Sequence, residues 1–169
     1  MSDVSQKQAS AAITASMLYD LVQCPRRVEL DLRDDPARRD PVGRFVELLW
    51  ERGTTFERET IASLGEPVLD LSEFPAEEKE RRTREALARG ERLIRGGRLS
   101  AADLVGEPDL LRREGDGRPR YVPIDVKSGA GEEVAGDPGT QKPHYAMQLA
   151  VYVDVLERAG HSAGRRAIA

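Results

Sequence analysis

Cysteine, aromatic residues and long apolar runs are all scarce in this chain. Cys24 is the only cysteine among 169 residues, which excludes an internal disulfide and an all-cysteine metal site formed within the chain. No run of about 18 apolar residues is present, so the sequence predicts no membrane-spanning helix and no membrane partner. Residues 1–12 lack the basic start and apolar middle of a secretory signal. We therefore expect a disordered leader at 1–12, followed by a cytoplasmic domain at 13–169.

An excess of basic charge is also absent. The formal net charge is −4 at pH 7, with 33% charged and 39% hydrophobic residues. This balance is typical of one globular domain with a real core, and it argues against a basic surface that coats nucleic acid non-specifically. It leaves open a local phosphate site, because carboxylates that bind a metal ion count as negative in the same sum.

The first half of the chain has the apolar spacing of helices. Helices are predicted over 13–23, 25–32, 44–64 and 75–95. The last of these is strongly charged, and its i,i+4 pairs are most simply a solvated face. Those pairs are Glu77/Arg81, Glu78/Arg82 and Glu80/Arg84.

The pattern becomes strand-like over 99–127. Asp116-Gly117 predicts a hairpin that joins 104–113 to 120–128 as antiparallel neighbours. A Gly- and Pro-containing loop is predicted over 129–143, and an amphipathic helix over 144–159. This order of elements predicts an α/β (α+β) domain with a central mixed sheet flanked by helices. The final GRRAIA resembles the start of a strand, so we expect the chain to be truncated from a longer protein with a downstream domain.

Asp125 and Lys127 alternate with apolar residues in IDVKSG, residues 124–129. Alternate side chains of a strand share a face, so the two charges should point the same way. Asp109 lies seven residues before Asp116, and Asp125 eight after Gly117, so the hairpin should bring both carboxylates together. An oxygen-only cluster favours Mg²⁺ or Mn²⁺, and a lysine beside it suits a phosphate. The alternative is a surface salt bridge of little energetic value.

Several motifs, in this order, resemble the PD-(D/E)XK nuclease superfamily, and in particular its RecB-like branch, which includes CRISPR-associated exonucleases. They are LVQCPRR at 21–27, WERG at 50–53, GEPD at 106–109, IDVKSG at 124–129 and QLAVY at 148–152. The resemblance spans about residues 13–160. It implies a restriction-endonuclease-like core and a Mg²⁺- or Mn²⁺-dependent nuclease that acts on single-stranded DNA or duplex ends, in repair, recombination or defence.

The resemblance also implies roles for individual residues. Asp109 matches the first metal-binding acid, Asp125 matches the acid of the (D/E)XK motif, and Lys127 matches its lysine. Gln148 and Tyr152 match a Gln-x-x-x-Tyr signature that faces the nucleic acid or supports the site. The alternative for these two is that Tyr152 is a core residue and Gln148 caps a strand.

One more metal ligand is expected from the helix over 44–64. Relatives often carry a histidine shortly after the position of Gly53, where this sequence has Phe56 and Glu57. Glu57 is the expected ligand, Glu59 is the second choice, and a surface glutamate is the alternative reading of Glu57.

Cys24 lies where some RecB-like nucleases place the first cysteine of an iron–sulfur cluster. The other three cysteines are absent from this chain, so we expect no cluster within it and interpret Cys24 as a small buried thiol. The alternative is a cluster whose other cysteines come from a longer parent chain. His144 and His161 are isolated, and neither is assigned to catalysis, although His144 could face phosphate.

Three functions remain open from the sequence. The first is a metal-dependent phosphodiesterase in which Glu57, Asp109 and Asp125 hold the cation. The second is an inactive, nuclease-like module that binds nucleic acid or a protein partner, favoured by Phe56 in place of a histidine and by the acidic net charge. The third is an unrelated metal or sugar-phosphate site on an α+β fold.

Overall fold

The computed structural model describes residues 12–128, 142–164 and 166–168. Within these ranges the helices are α1 (Ala15–Gln23), α2 (Pro25–Arg33), α3 (Arg44–Ser63), α4 (Ala76–Arg89) and α5 (Pro143–Arg158). The strands are β1 (Ile13–Thr14), β2 (Leu69–Asp70), β3 (Leu93–Arg95), β4 (Leu99–Ala101), β5 (Leu104–Gly106), β6 (Leu110–Glu114) and β7 (Arg120–Ile124). The predicted leader, apart from Ala12, and residues 129–141 of the predicted loop lie outside the described residues.

The strands form two mixed sheets. In the first, β1 pairs parallel with β5, and β5 pairs antiparallel with β4. In the second, the order is β2-β3-β6-β7, with β2 and β3 parallel and the other pairs antiparallel. The predicted fold class, a mixed α/β domain with an antiparallel hairpin flanked by helices, is confirmed, with the strands shared between two sheets.

The last described residues extend the second sheet. Ser162 and Ile168 make parallel bridges with Tyr121 and Ile124 of β7. The backbone N–H of Asp125 donates to the carbonyl of Ile168 at 2.9 Å. The strand-like character predicted for the tail is therefore present at Ile168, which supports the backbone where β7 ends.

Two predicted boundaries are wrong. The helix predicted over 75–95 ends at Arg89, because Gly90 adopts a left-handed φ of 76° that closes the helix, and Leu93–Arg95 then form β3. The hairpin at Asp116-Gly117 pairs only β6 with β7, whereas residues 104–106 form β5 in the other sheet. Pro108 lies between β5 and β6, where it has no N–H to continue a ladder.

The charged face of α4 is partly as predicted. Arg82 pairs with Glu78 at 2.6 Å, and Arg84 pairs with Glu80 at 2.7 Å, each in the predicted i,i+4 register. Arg81 pairs with Glu78 and Glu85 instead of Glu77. The face is solvated except at Glu80, whose carboxylate also accepts the backbone N–H of Ser100 at 3.2 Å.

The main core lies between α1, α4, α5 and the sheets. Its most enclosed members are Leu71, Ala86, Leu87, Ile94, Leu111, Tyr121, Val155 and Leu156. Burial of each large apolar side chain contributes about 1.5–3 kcal/mol to stability. A smaller cluster of Ile61, Leu93 and Leu110 attaches the end of α3 to the second sheet. Because Leu110 begins β6, this packing fixes the backbone beside Asp109.

Much of α3 is exposed. Ile61 is the only buried residue of this helix, whereas Phe45 and Trp50 are 73% and 60% exposed. The predicted helix is confirmed, but most of its apolar members do not pack within the described parts of the chain. None of the described helices combines the length and the apolar character needed to cross a membrane.

Cys24 is exposed, so the expectation of a buried thiol is wrong. It occupies the corner between α1 and α2, with extended backbone, where it ends one helix and begins the next. The reason is packing: α1 packs against α5, whereas α2 has no buried residue. A residue at this corner therefore has no core on which to pack.

Candidate active site

Asp109 and Asp125 meet at the open end of the β6–β7 hairpin. Leu110 pairs with Ile124, so the residue before Leu110 and the residue after Ile124 are brought opposite each other. The backbone N–H of Val126 donates to Oδ2 of Asp109 at 2.6 Å. The two carboxylates therefore converge as the residue count predicts.

Lys127 joins this pair, although not as part of a strand. β7 ends at Ile124, so the prediction that Asp125 and Lys127 alternate along a strand is corrected. The Lys127 ammonium still forms an ion pair with Oδ2 of Asp125, and it donates to Oε1 of Gln148 at 3.3 Å. Asp125 is only 2% exposed, so the surface salt-bridge alternative does not describe this pair.

Gln148 and Tyr152 stack one turn apart on α5. Nε2 of Gln148 donates to the Tyr152 hydroxyl oxygen at 2.9 Å. Tyr152 is 4% exposed, and its ring lies against Gly106, where an added Cβ would be 3.0 Å from Cδ1 of the ring. Burial raises the pKa of the Tyr152 phenol above its usual range, so the hydroxyl remains neutral. Tyr152 thus lies beneath Gln148, which in turn contacts Lys127.

The acidic pair has unusual electrostatics without a cation. Burial, and then the charge of nearby Asp125, raises the pKa of Asp109 to about 7, against the lowering effect of the hydrogen bond from Val126. Two carboxylates in one enclosed site resist ionising together unless positive charge lies between them. Lys127 supplies only part of that positive charge, so a bound cation would stabilise the two carboxylates further.

Glu57 faces the same cleft from α3, but it is held by Arg95. Oε1 of Glu57 accepts Nε–H and Nη2–H of Arg95 at 3.1 and 3.0 Å. Nη1 of Arg95 donates to Oδ2 of Asp70 at 3.0 Å. Glu59, the second-choice ligand, is exposed and does not line the cleft.

Two of the three expected ligands, Asp109 and Asp125, fit a hard divalent cation. Oδ2 of Asp125 is buried and makes no hydrogen bond of good geometry, although it contacts the Lys127 ammonium. Such an oxygen, beside Asp109, is the kind of ligand that Mg²⁺ and Mn²⁺ prefer. Across the described ranges, no three acidic, histidine or cysteine side chains are close enough to hold a metal ion, since Glu57 is turned to Arg95.

The cleft that contains these groups has a volume of about 580 Å³. Glu57, Asp109, Lys127 and Gln148 line it, and so do Tyr19, Trp50 and Tyr145. A larger cleft of about 720 Å³ lies between α5 and the tail, but neither Asp109 nor Lys127, which line the smaller cleft, lines it. Chemistry rather than size therefore selects the smaller cleft as the candidate site.

Sequence reasoning missed Arg95, which holds Glu57, and two tyrosines of the cleft. The sequence places Arg95 in a charged helix, where no pattern connects it to Glu57. Tyr145 could have been found, because Tyr145, Gln148 and Tyr152 follow the i, i+3, i+7 spacing of one helix face. Tyr19 contacts this face only through the packing of α1 on α5.

The geometry defines a class of protein: a mixed α/β domain with two acids and a lysine at the open end of an antiparallel hairpin. A family model of the PD-(D/E)XK nuclease superfamily matches residues 12–168. The chain therefore belongs to this superfamily, whose members are typically metal-dependent nucleases that use Mg²⁺ or Mn²⁺. Comparisons with curated proteins and with solved structures give no significant match.

Proposed function

We propose that the chain is a RecB-like, metal-dependent nuclease that hydrolyses phosphodiester bonds of DNA, in the cytoplasm, in repair, recombination or defence. The observation that carries this proposal is the convergence of Asp109, Asp125 and Lys127, of which Asp109 and Lys127 line one cleft and Asp125 is buried behind Lys127. Superfamily membership makes the third hypothesis, an unrelated metal or sugar-phosphate site, unnecessary.

Asp109 and Asp125 would hold Mg²⁺ or Mn²⁺, with Glu57 as a third ligand once it leaves Arg95. A bound cation supplies Lewis-acid polarisation of the phosphoryl group and activation of a water molecule for in-line attack. Filling the site would also offset the repulsion that raises the pKa of Asp109.

Lys127 would stabilise negative charge on the phosphoryl oxygens as it develops. Its ammonium contacts both Asp125 and Gln148, and Tyr152 accepts a hydrogen bond from Gln148. Gln148 and Tyr152 are therefore proposed as positioning residues. Because these contacts exist before substrate binds, the Lys127 side chain is already oriented, and little reorientation is needed during the reaction.

The second candidate is a nuclease-like module that binds nucleic acid or a protein without cleaving it. Its support is the Arg95–Glu57 pair, which occupies the third expected ligand, together with Phe56 where relatives carry a histidine. This candidate predicts nucleic-acid binding that persists in EDTA and no cleavage with any metal.

Cleavage of end-labelled single-stranded and duplex DNA tests the proposal. Wild type would be assayed in Mg²⁺, Mn²⁺ and EDTA beside Lys127→Ala, Asp125→Asn and the control Asp116→Asn, whose carboxylate is exposed in the hairpin loop. We expect metal-dependent product that falls by about 100-fold or more in the first two variants and is unchanged in the control. Wild-type activity in Lys127→Ala would refute the assignment, and binding without cleavage would support the inactive module.

A further inference from the structure

Two aromatic rings that line the cleft, those of Tyr19 and Tyr145, pack with the ring of His144. Tyr19 of α1 lies 4.7 Å from His144 and 6.1 Å from Tyr145, centroid to centroid, and His144 lies 4.5 Å from Tyr145. Nε2 of Gln23 lies 2.8 Å from Nδ1 of His144, which fixes that ring against α1. These contacts hold the rings of Tyr19, His144 and Tyr145 together as one aromatic cluster.

This cleft concentrates a scarce residue type. Aromatic residues make up 5% of the chain, yet two of its four tyrosines and its single tryptophan line this cleft. Tyr19 and Tyr145 are only partly buried, whereas Tyr121, which packs in the core, is fully buried and donates its hydroxyl to the carbonyl of Glu91. Core packing alone therefore explains Tyr121 but not the ring surface that faces the cleft.

Positive charge lies over the Tyr145 ring. The ammonium groups of Lys127 and Lys142 are each 5.3 Å from the centroid of the Tyr145 ring. Lys127 is also the partner of Asp125, so one ammonium contacts Asp125 and lies over the Tyr145 ring. Aromatic side chains combined with cations that track the backbone are the typical means of binding single-stranded nucleic acid.

We infer that Tyr145, supported by Tyr19 and His144, stacks on an unpaired base of single-stranded DNA whose neighbouring phosphate meets Lys127. A base inside a duplex is paired and stacked on its neighbours, and it cannot offer a face to Tyr145 without leaving the helix. This inference rests on the proposed function and adds to it the strandedness of the substrate. Trp50, exposed on α3, presents a further ring to the same cleft.

The first test asks whether binding of single-stranded DNA depends on the aromatic ring of Tyr145. Anisotropy would report binding of a fluorescent oligothymidylate and of a matched duplex, in EDTA so that no cleavage occurs. Tyr145→Leu removes the ring and Tyr145→Phe keeps it, with thermal melting as the check on folding. We expect Tyr145→Leu to weaken single-strand binding about tenfold and to leave duplex binding unchanged, and Tyr145→Phe to resemble wild type.

An abasic scan identifies the stacked base. One base at a time is removed from the oligonucleotide, and binding is measured for wild type and Tyr145→Leu. At the stacked position, wild type should lose about tenfold and Tyr145→Leu should lose nothing further, because both changes remove the same contact. If Tyr145→Leu fails to fold, Tyr145→Met, which also lacks the ring, takes its place in the same scan.

The outcomes distinguish the subsite from the nuclease. Equal losses on single strand and duplex, an equal loss in Tyr145→Phe, or additive losses in the scan would overturn the stacking subsite. Cleavage in Mn²⁺ with ring-independent binding would keep the nuclease and remove the subsite. Ring-dependent binding without cleavage in any metal would keep the subsite and remove the nuclease.

Discussion

Replacing Asp109 by asparagine should stabilise the metal-free protein above neutral pH. Asp109 lies beside the buried Asp125, and burial together with that charge raises the pKa of Asp109 to about 7. Asparagine has nearly the same size, and its carbonyl oxygen can accept the hydrogen bond that Val126 donates to Oδ2. The substitution therefore removes a charge and leaves the packing in place.

The expected magnitude follows from the pKa. A change from 3.8 to about 7 corresponds to about 4 kcal/mol, at about 1.4 kcal/mol for each factor of ten in acidity. The cleft is open to water and the Lys127 ammonium is close, and both reduce the cost of the charge. We therefore expect a gain of about 1–3 kcal/mol in the free energy of unfolding.

The sign depends on pH in a defined way. Because the folded-state pKa of Asp109 lies above its unfolded value, the fold favours the protonated carboxyl group. The stability that the protonated carboxyl group contributes to the fold is fully present below about pH 4 and is lost as the pH rises through about 7. Wild type and Asp109→Asn should therefore be similar near pH 4, and the variant should be the more stable one near pH 9.

Urea unfolding followed by circular dichroism measures this difference at about pH 5 and at about pH 9, in EDTA. Asp116→Asn is the matched control, because it makes the same change at an exposed position. A difference between Asp109→Asn and wild type that is the same at both pH values would refute the reasoning. Added Mg²⁺ should stabilise wild type and not Asp109→Asn, since binding to the folded state alone shifts the unfolding equilibrium.

Two substitutions near β3 test other parts of the argument. Gly96→Ala should lower the free energy of unfolding in urea by about 2–4 kcal/mol, because φ is 60° and an added Cβ would lie 2.7 Å from Cα of Ser72. The control Gly117→Ala, which has open space around the added Cβ, should cost far less. Equal costs for the two variants would contradict this reasoning. Arg95→Gln should lower the Mg²⁺ concentration for half-maximal cleavage, because Glu57 is released, whereas Arg92→Gln, which alters an exposed pair with Glu66, should leave it unchanged. An unaltered metal dependence in Arg95→Gln would argue against Glu57 as a ligand.

The convergence of Asp109 and Asp125 was predictable because it depends on local rules. A turn at Asp116-Gly117 fixes the register of the two strands, and the register fixes which residues meet at the open end. Helical spacing likewise places Gln148 and Tyr152 on one face, although their position at the site was implied only by the family resemblance. The shared face and the paired acids required only a helical period and a turn.

Elements that depend on distant partners were not predictable. Leu93–Arg95 continue the charged helical pattern of α4, and they become a strand because β2 and β6 pair with them on either side. Leu93 and Ile94 gain burial in that sheet, which a helix projecting past Gly90 would not provide. The contact of Arg95 with Glu57 was hidden for the same reason, since it joins residues 38 positions apart.

The Arg95–Glu57 contact separates the two candidate functions. Both side chains are partly buried, at 15% and 24% exposed, so water screens this ion pair less than it screens one on the surface. A divalent cation between Asp109 and Asp125 would offer Glu57 a doubly charged partner, whereas Arg95 would keep Asp70 at 3.0 Å. The exchange would therefore leave Arg95 with one carboxylate partner and would bring Glu57 to the other two acids. With the proposed ligand set, we expect an active nuclease to need that exchange, and we expect an inactive module if Arg95 retains Glu57.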